Sequence, residues 1–171
     1  MSSVYMQVQG VTGTATAQGL QGYIELQSFD FSAARKMSTK PGVASDREGG
    51  KPVISEITVT KFVDQTTPVF FGKATVGQTE AQPVTIKFVN TGANLSEYLT
   101  VTLTGVMVSG QKIVEAAPVL TEDGNIAQEK PTEELTLNFT KIEFKATPYD
   151  ANHKAGAPVS HGYDLVAAQA A

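Results

Sequence analysis

Three stretches of this chain alternate apolar and polar residues with period two and then change phase. In 97–104, Leu99, Val101 and Leu103 alternate with Thr100, Thr102 and Thr104; past Gly105 the apolar residues are Val106 and Val108. In 133–147, Leu135, Leu137 and Phe139 alternate with Thr136, Asn138 and Thr140; past Lys141 they are Ile142, Phe144 and Ala146. In 22–31, Ile24 and Leu26 give way to Phe29 and Phe31. Period two belongs to strands with one buried face. A phase change requires a bulge, or a strand that buries opposite faces in its two halves. Either the strand turns a corner between two sheets, or one half covers the chain's own core while the other meets a neighbouring subunit. Long bent strands within 171 residues favour a barrel or a tight sandwich.

Composition agrees. Thr, Val and Ile supply 20, 18 and 7 residues, and β-branched side chains suit a pleated, half-buried surface. Strands are predicted at 4–9, 22–34, 53–63, 84–89, 97–108, 133–147 and 159–166, separated by Gly, Pro, Asn and Asp. One short helix is predicted after 65–68, with Thr67 as its cap, Pro68 in its first turn and Gly77 at its exit. The Phe70-Phe71 pair inside it is expected to pack in the core. Two polar stretches, 36–51 and 110–131, read as long loops; apolar residues in the second suggest packing or a hairpin. At this length a single domain over 1–171 is expected.

No catalytic constellation is visible. The chain has no Cys, so disulfides, thiolate metal sites and a Cys nucleophile are excluded. His153 and His161 are the only histidines, and neither stands in a nucleophile or metal-ligand spacing. Glu133 and Glu134 are adjacent on a predicted strand, so they face opposite ways and make a poor acid/base pair. Glu122-Asp123 lies in a turn signal without the other ligands of a calcium loop. Net charge is −4, against a nucleic-acid partner. No apolar run is long enough to span a membrane as a helix, and the N-terminus lacks a signal-peptide pattern. No cofactor is expected.

An ordered set of segments resembles the hemolysin-coregulated protein (Hcp) family of bacterial type VI secretion systems. The set runs from Tyr5-Met6-Gln7-Val8-Gln9-Gly10 through Gly22-Tyr23-Ile24-Glu25-Leu26 and Ile54-Ser55-Glu56-Ile57-Thr58-Val59-Thr60-Lys61 to Asp64 and Thr67-Pro68. It continues through Glu97-Tyr98-Leu99-Thr100, Val106-Met107-Val108-Ser109 and Pro131-Thr132-Glu133-Glu134-Leu135-Thr136-Leu137-Asn138-Phe139-Thr140-Lys141-Ile142-Glu143 to Gly162-Tyr163-Asp164. Each segment is weak by itself; the order over nearly the whole chain is specific. Tyr23, Tyr163 and Phe144 stand where the family often has Trp, swaps that keep aromatic packing.

The resemblance implies a mainly β fold, a β-barrel of two packed antiparallel sheets with one short α-helix and long extended loops. It implies a structural, non-enzymatic protein that forms homohexameric rings, which stack into the inner tube and leave the cell from the cytoplasm when a sheath contracts. The implied partners are other copies of the chain, the sheath and spike proteins, and effectors carried in the lumen. The family's inter-ring loop matches 36–51, which assigns Lys40, Asp46, Arg47 and Glu48 to contacts between rings. Its lumen-facing strand matches 24–31, which assigns Ser28 and Asp30 to the channel, opposite in parity to Phe29 and Phe31. The 110–131 loop is longer than the family pattern. No fused C-terminal toxin is expected. Two other classes stay in view. A monomeric barrel could hold a small molecule in its interior. A glycan-acting enzyme would need two carboxylates about 5–9.5 Å apart in a cleft.

Overall fold

The computed structural model describes residues 2–37, 49–91, 95–115, 119–120, 126–127 and 130–171. In chain order the elements begin with β1 (Ser2–Gln7), β2 (Ile24–Leu26), β3 (Ser28–Asp30), β4 (Ala33–Met37), β5 (Gly49–Ile54), β6 (Ile57–Phe62) and α1 (Thr67–Val76). They continue with β7 (Val84–Thr91), β8 (Leu95–Thr104), β9 (Met107–Val114), β10 (Val119–Leu120) and β11 (Ile126–Ala127). The last are β12 (Thr132–Asn138), β13 (Lys141–Ala146), β14 (Val159–Asp164) and β15 (Gln169–Ala170).

A seven-stranded sheet of order β15-β14-β13-β8-β7-β1-β2 packs on a four-stranded sheet of order β3-β6-β12-β9. The pairs β4–β5 and β10–β11 form separate two-stranded ladders. The fold is thus mainly β with one short helix.

The phase changes in the sequence are corners between these sheets. β2 lies in the larger sheet and β3 in the smaller, β8 in the larger and β9 in the smaller, β12 in the smaller and β13 in the larger. Two corners meet on one carbonyl: Thr140 donates to the oxygen of Thr104 through its backbone N–H at 3.0 Å and its hydroxyl at 3.1 Å. Gly105 turns its corner at φ +63°, and a Cβ there would run into the Thr140 side chain, so position 105 needs glycine.

Between the sheets lie Met6, Ile24, Ile86, Val101, Leu103 and Ile142 from the larger sheet and Ile57, Val59, Leu135 and Leu137 from the smaller. Each such side chain stabilises by about 1.5–3 kcal/mol when fully buried. A second small cluster, Tyr5, Leu20 and Val89, forms on the other side of the larger sheet, with Ala15, Ala17 and Tyr23 packed against it. This explains why the adjacent residues Tyr5 and Met6 are both buried.

Several expectations need correction. The predicted 22–34 strand is three strands, because the chain leaves one sheet at Gln27 and the other after Asp30. The 36–51 loop begins and ends inside a hairpin, since β4 pairs with β5 from Ala33↔Ile54 to Met37↔Gly49. The 110–131 loop starts later than predicted, because β9 runs on to Val114 against β12; within it β10 and β11 form the anticipated hairpin, with Val119 opposite Ala127. The helix cap is Thr66, not Thr67, although Pro68 and the left-handed Gly77 fall as expected. Only Phe70 of the aromatic pair is buried; Phe71 is 61% exposed, since neighbours on a helix point about 100° apart.

Candidate functional site

The outer face of the four-stranded sheet is a polar wall. Strand register sets two polar rows across it, and beyond them a third row of Phe62, Thr132 and Val114, with two exposed apolar side chains. Ser28 lies opposite Thr60, Thr60 opposite Glu134, and Glu134 opposite Lys112. Asp30 lies opposite Thr58, Thr58 opposite Thr136, and Thr136 opposite Gly110. Ser28 and Thr60 share a hydroxyl–hydroxyl hydrogen bond of 2.6 Å. The intervening residues Phe29, Val59 and Leu135 turn inward, and the Phe29 ring meets Phe88 edge-on at 5.2 Å. Ser28 and Asp30 are therefore exposed side chains on the polar face, opposite in parity to Phe29, as the alternation predicted. The register adds Thr58, Thr60, Thr136, Glu134 and Lys112 to them. Short hydroxyl side chains make this wall smooth and hydrated, with no apolar side chain in the two rows and one full charge of each sign beside Asp30. Lys40, Asp46, Arg47 and Glu48, assigned above to contacts between rings, lie outside the described residues, as does Glu122-Asp123.

On the inner side of the same sheet lies a buried ionic cluster that the motifs did not reveal. Lys61 at the end of β6 is 1% exposed and Glu133 on β12 is 0% exposed. The Lys61 ammonium donates to Asp64 Oδ1, to the Phe62 carbonyl and to Glu133 Oε2, each at 2.9 Å. Its three protons thus have three acceptors. Glu133 Oε2 also accepts from the Thr67 hydroxyl at 2.6 Å, and Oε1 accepts from Gln111 Nε2 at 2.6 Å. Gln111 further donates to the Thr67 carbonyl at 3.0 Å. Asp64 Oδ1 accepts from the Thr66 backbone N–H and hydroxyl at 2.8 and 2.6 Å. Burial alone would raise the Asp64 carboxyl, but the Thr66 hydroxyl and the Lys61 ammonium outweigh it and hold it below the usual aspartate range.

This cluster fastens α1 to β6, β9 and β12. The Thr67 hydroxyl donates to Glu133 and accepts from the Asp64 N–H at 3.2 Å, while Asp64 Oδ1 accepts from the Thr66 N–H at the helix start. Among the described residues no buried side-chain polar atom lacks a partner. Glu133 is buried while Glu134 is on the polar face, so the pair is split across the sheet as predicted. His153 sits at φ +59° in a tight turn, and His161 is exposed on β14. Among the described residues no three His, Cys, Asp or Glu side chains converge as a metal site, and no helix is long and apolar enough to cross a membrane.

Comparison with known proteins places this architecture. The family described as type VI secretion system effector, Hcp, matches residues 5–145. Protein hcp1 of Pseudomonas aeruginosa is 30% identical over 114 residues, which cover 66% of this chain and 64% of that protein. A solved structure of a type six secretion system protein overlays with a TM-score of 0.88 at 20% identity, over 100% of both chains. Hcp1 from Salmonella typhimurium overlays at 0.75 and 16% identity, over 99% of each. A type VI secretion system effector from Yersinia pestis overlays at 0.67 and 19% identity, covering 94% of this chain and 98% of that one. At these identities the solved structures establish the shared fold, and the family match extends it to sequence. The chain belongs to the Hcp family of type VI secretion proteins.

Proposed function

We propose that this chain is a tube subunit of a type VI secretion apparatus, with a structural and not a catalytic role. Copies close into a six-membered ring, rings stack into a tube, and contraction of a surrounding sheath drives the tube out of the cell. The polar face of the four-stranded sheet carries this reading. In a ring it forms the lumen wall, with Ser28 and Asp30 among its channel-facing side chains. A wall of short hydroxyls holds water and offers few apolar contacts, so it lets cargo proteins pass or rest without unfolding them. The 38–48 segment supplies Lys40, Asp46, Arg47 and Glu48 as contacts to the next ring. Exposed charge pairs contribute about 0–1 kcal/mol each, so stacking held by them is reversible. Ring closure is head-to-tail, as a six-membered ring of cyclic symmetry requires.

The test is negative-stain electron microscopy of the purified protein at high and low concentration. Six-fold particles with a central hole are the expected result. Uniform particles without a hole at every concentration would end the tube assignment and favour a monomeric barrel.

A further inference from the structure

Seven strands cannot be covered by four. The inner face of the larger sheet runs past the smaller one at its β14–β15 end, and cover is lost there by degrees. Ile142 is buried, its cross-strand partner Tyr163 is half-buried, and His161, on the same face, is exposed. The β4–β5 hairpin stands across this end, anchored where the Phe31 ring meets Phe144 at 5.3 Å. Between hairpin and sheet a cleft of about 580 Å³ remains open. It continues past the base of the hairpin into a second hollow of about 350 Å³ that shares Lys51, Ile54 and Tyr163 with it. The cleft is therefore long, bounded by strands on both sides.

Its chemistry is one-sided. The floor is apolar, made by Ile54, Ala170 and the ring of Tyr163. Arg35, Lys51 and His161 stand around it, and no carboxylate lines it among the described residues. On a chain of net charge −4 this is a local inversion of sign. Neither Arg35 nor Lys51 makes an ion pair among the described residues. Asp164 follows Tyr163 on β14 and so points to the opposite side of the sheet.

We propose that this cleft docks an extended, carboxylate-bearing segment of a partner protein. In an extended segment alternate side chains point to opposite sides. One set can lie on Ile54, Tyr163 and Ala170 while the other brings carboxylates to Arg35 and Lys51. An Arg guanidinium can grip a carboxylate through two parallel hydrogen bonds. The inference does not depend on ring formation, since all of these residues belong to one chain.

The probe is a fluorescein-labelled octapeptide alternating Glu and Val, titrated with the full-length protein and followed by fluorescence anisotropy. Octapeptides alternating Lys with Val and Ser with Val are the comparisons. Saturable binding of the Glu peptide alone is expected, weakening as salt rises and at least tenfold weaker for Arg35→Glu and for Lys51→Glu. Both positions are exposed, so folding should survive, with circular dichroism as the check. Lys154→Glu, outside the cleft, should bind as the parent does. No saturable binding of the Glu peptide, equal binding of the Ser peptide, or binding unchanged by both charge reversals would overturn the proposal. So would a change of sedimentation coefficient in the reversal variants without peptide, which would make the cleft a contact between copies of this chain.

Discussion

Two ion pairs in this protein share a geometry and differ in setting. Lys61 meets Glu133 at 2.9 Å inside the protein, and Lys87 meets Glu97 at 2.9 Å on the larger sheet, where the side chains are 25% and 38% exposed. Around Lys61 and Glu133 all three ammonium protons and both carboxylate oxygens are met by protein: Asp64, Thr67, Gln111 and a backbone carbonyl. Around Lys87 and Glu97 the partners are looser, with the Thr100 hydroxyl donating to Glu97 and the Tyr23 ring 5.8 Å from the ammonium. Water can replace what the outer pair loses. Nothing can replace what the inner pair loses, so an equal distance carries very different consequences. The inner cluster acts as a specification of where α1 sits; the outer pair decorates a solvated face.

That contrast can be broken at its strongest point. Lys61→Met leaves the Glu133 carboxylate buried without its cation, and a loss of about 3–5 kcal/mol is expected, read from the urea midpoint. If Lys61→Met costs no more than a surface substitution, the cluster is not the clamp described here. The double variant Lys61→Met, Glu133→Leu should cost less than the sum of its singles, with a coupling of about 0.5–3 kcal/mol by double-mutant cycle. Thr67→Val keeps the charges and removes one hydroxyl from Glu133; about 1.5–3 kcal/mol is expected for a lost hydrogen bond to a charged group. Glu97→Gln, at the other extreme, should cost about 0–1 kcal/mol, and less at high salt.

Acid sharpens the same comparison. Burial would raise the Glu97 carboxyl, but the Thr100 hydroxyl and the Lys87 ammonium hold it below the usual glutamate range, as Asp64 is held below its own. A carboxyl lowered by folding stabilises above its unfolded value, and that contribution is lost as pH falls through the folded value. Stability should therefore decline below about pH 5. Asp64→Asn should flatten that decline more than Glu97→Gln does, because Asp64 is the less exposed and holds a helix start. Equal acid profiles for the two variants would erase the distinction. Lys87 is raised instead, since the hydrogen bond and charge of Glu97 overcome the desolvation that would lower it. Its share is present at neutral pH and lost only as pH rises through its folded value.

Much of this was legible in the sequence. Parity put Ser28 and Asp30 on the face opposite Phe29, and split Glu133 from Glu134. The same parity also carried an unread signal. Lys61 continues the inward series Ile57, Val59, and Glu133 opens the inward series Leu135, Leu137, Phe139. Two opposite charges, each in phase with a core face, foretell a buried pair. The long loops were less legible, since Gly and charge mark the tip of a hairpin and a free loop alike. Helix capping misled by one residue because Thr67 is already helical: its hydroxyl oxygen accepts from the Asp64 N–H at 3.2 Å, its proton goes to Glu133, and no side-chain oxygen caps the first turn.

By itself the sequence determined most of the longer strands, their inward faces and the positions where the phase reverses, because these are local consequences of a two-residue repeat. It did not determine which sheet each half-strand joins, since both sheets offer the same ladder of backbone groups. Tertiary structure decided that by closing two sheets on one core, with Gly105 and Thr140 packed at the corner. It also decided that four strands meet seven. That mismatch leaves one end of the larger sheet uncovered beneath the β4–β5 hairpin, and no window of sequence records it, because it arises only when strands far apart in the chain are counted together.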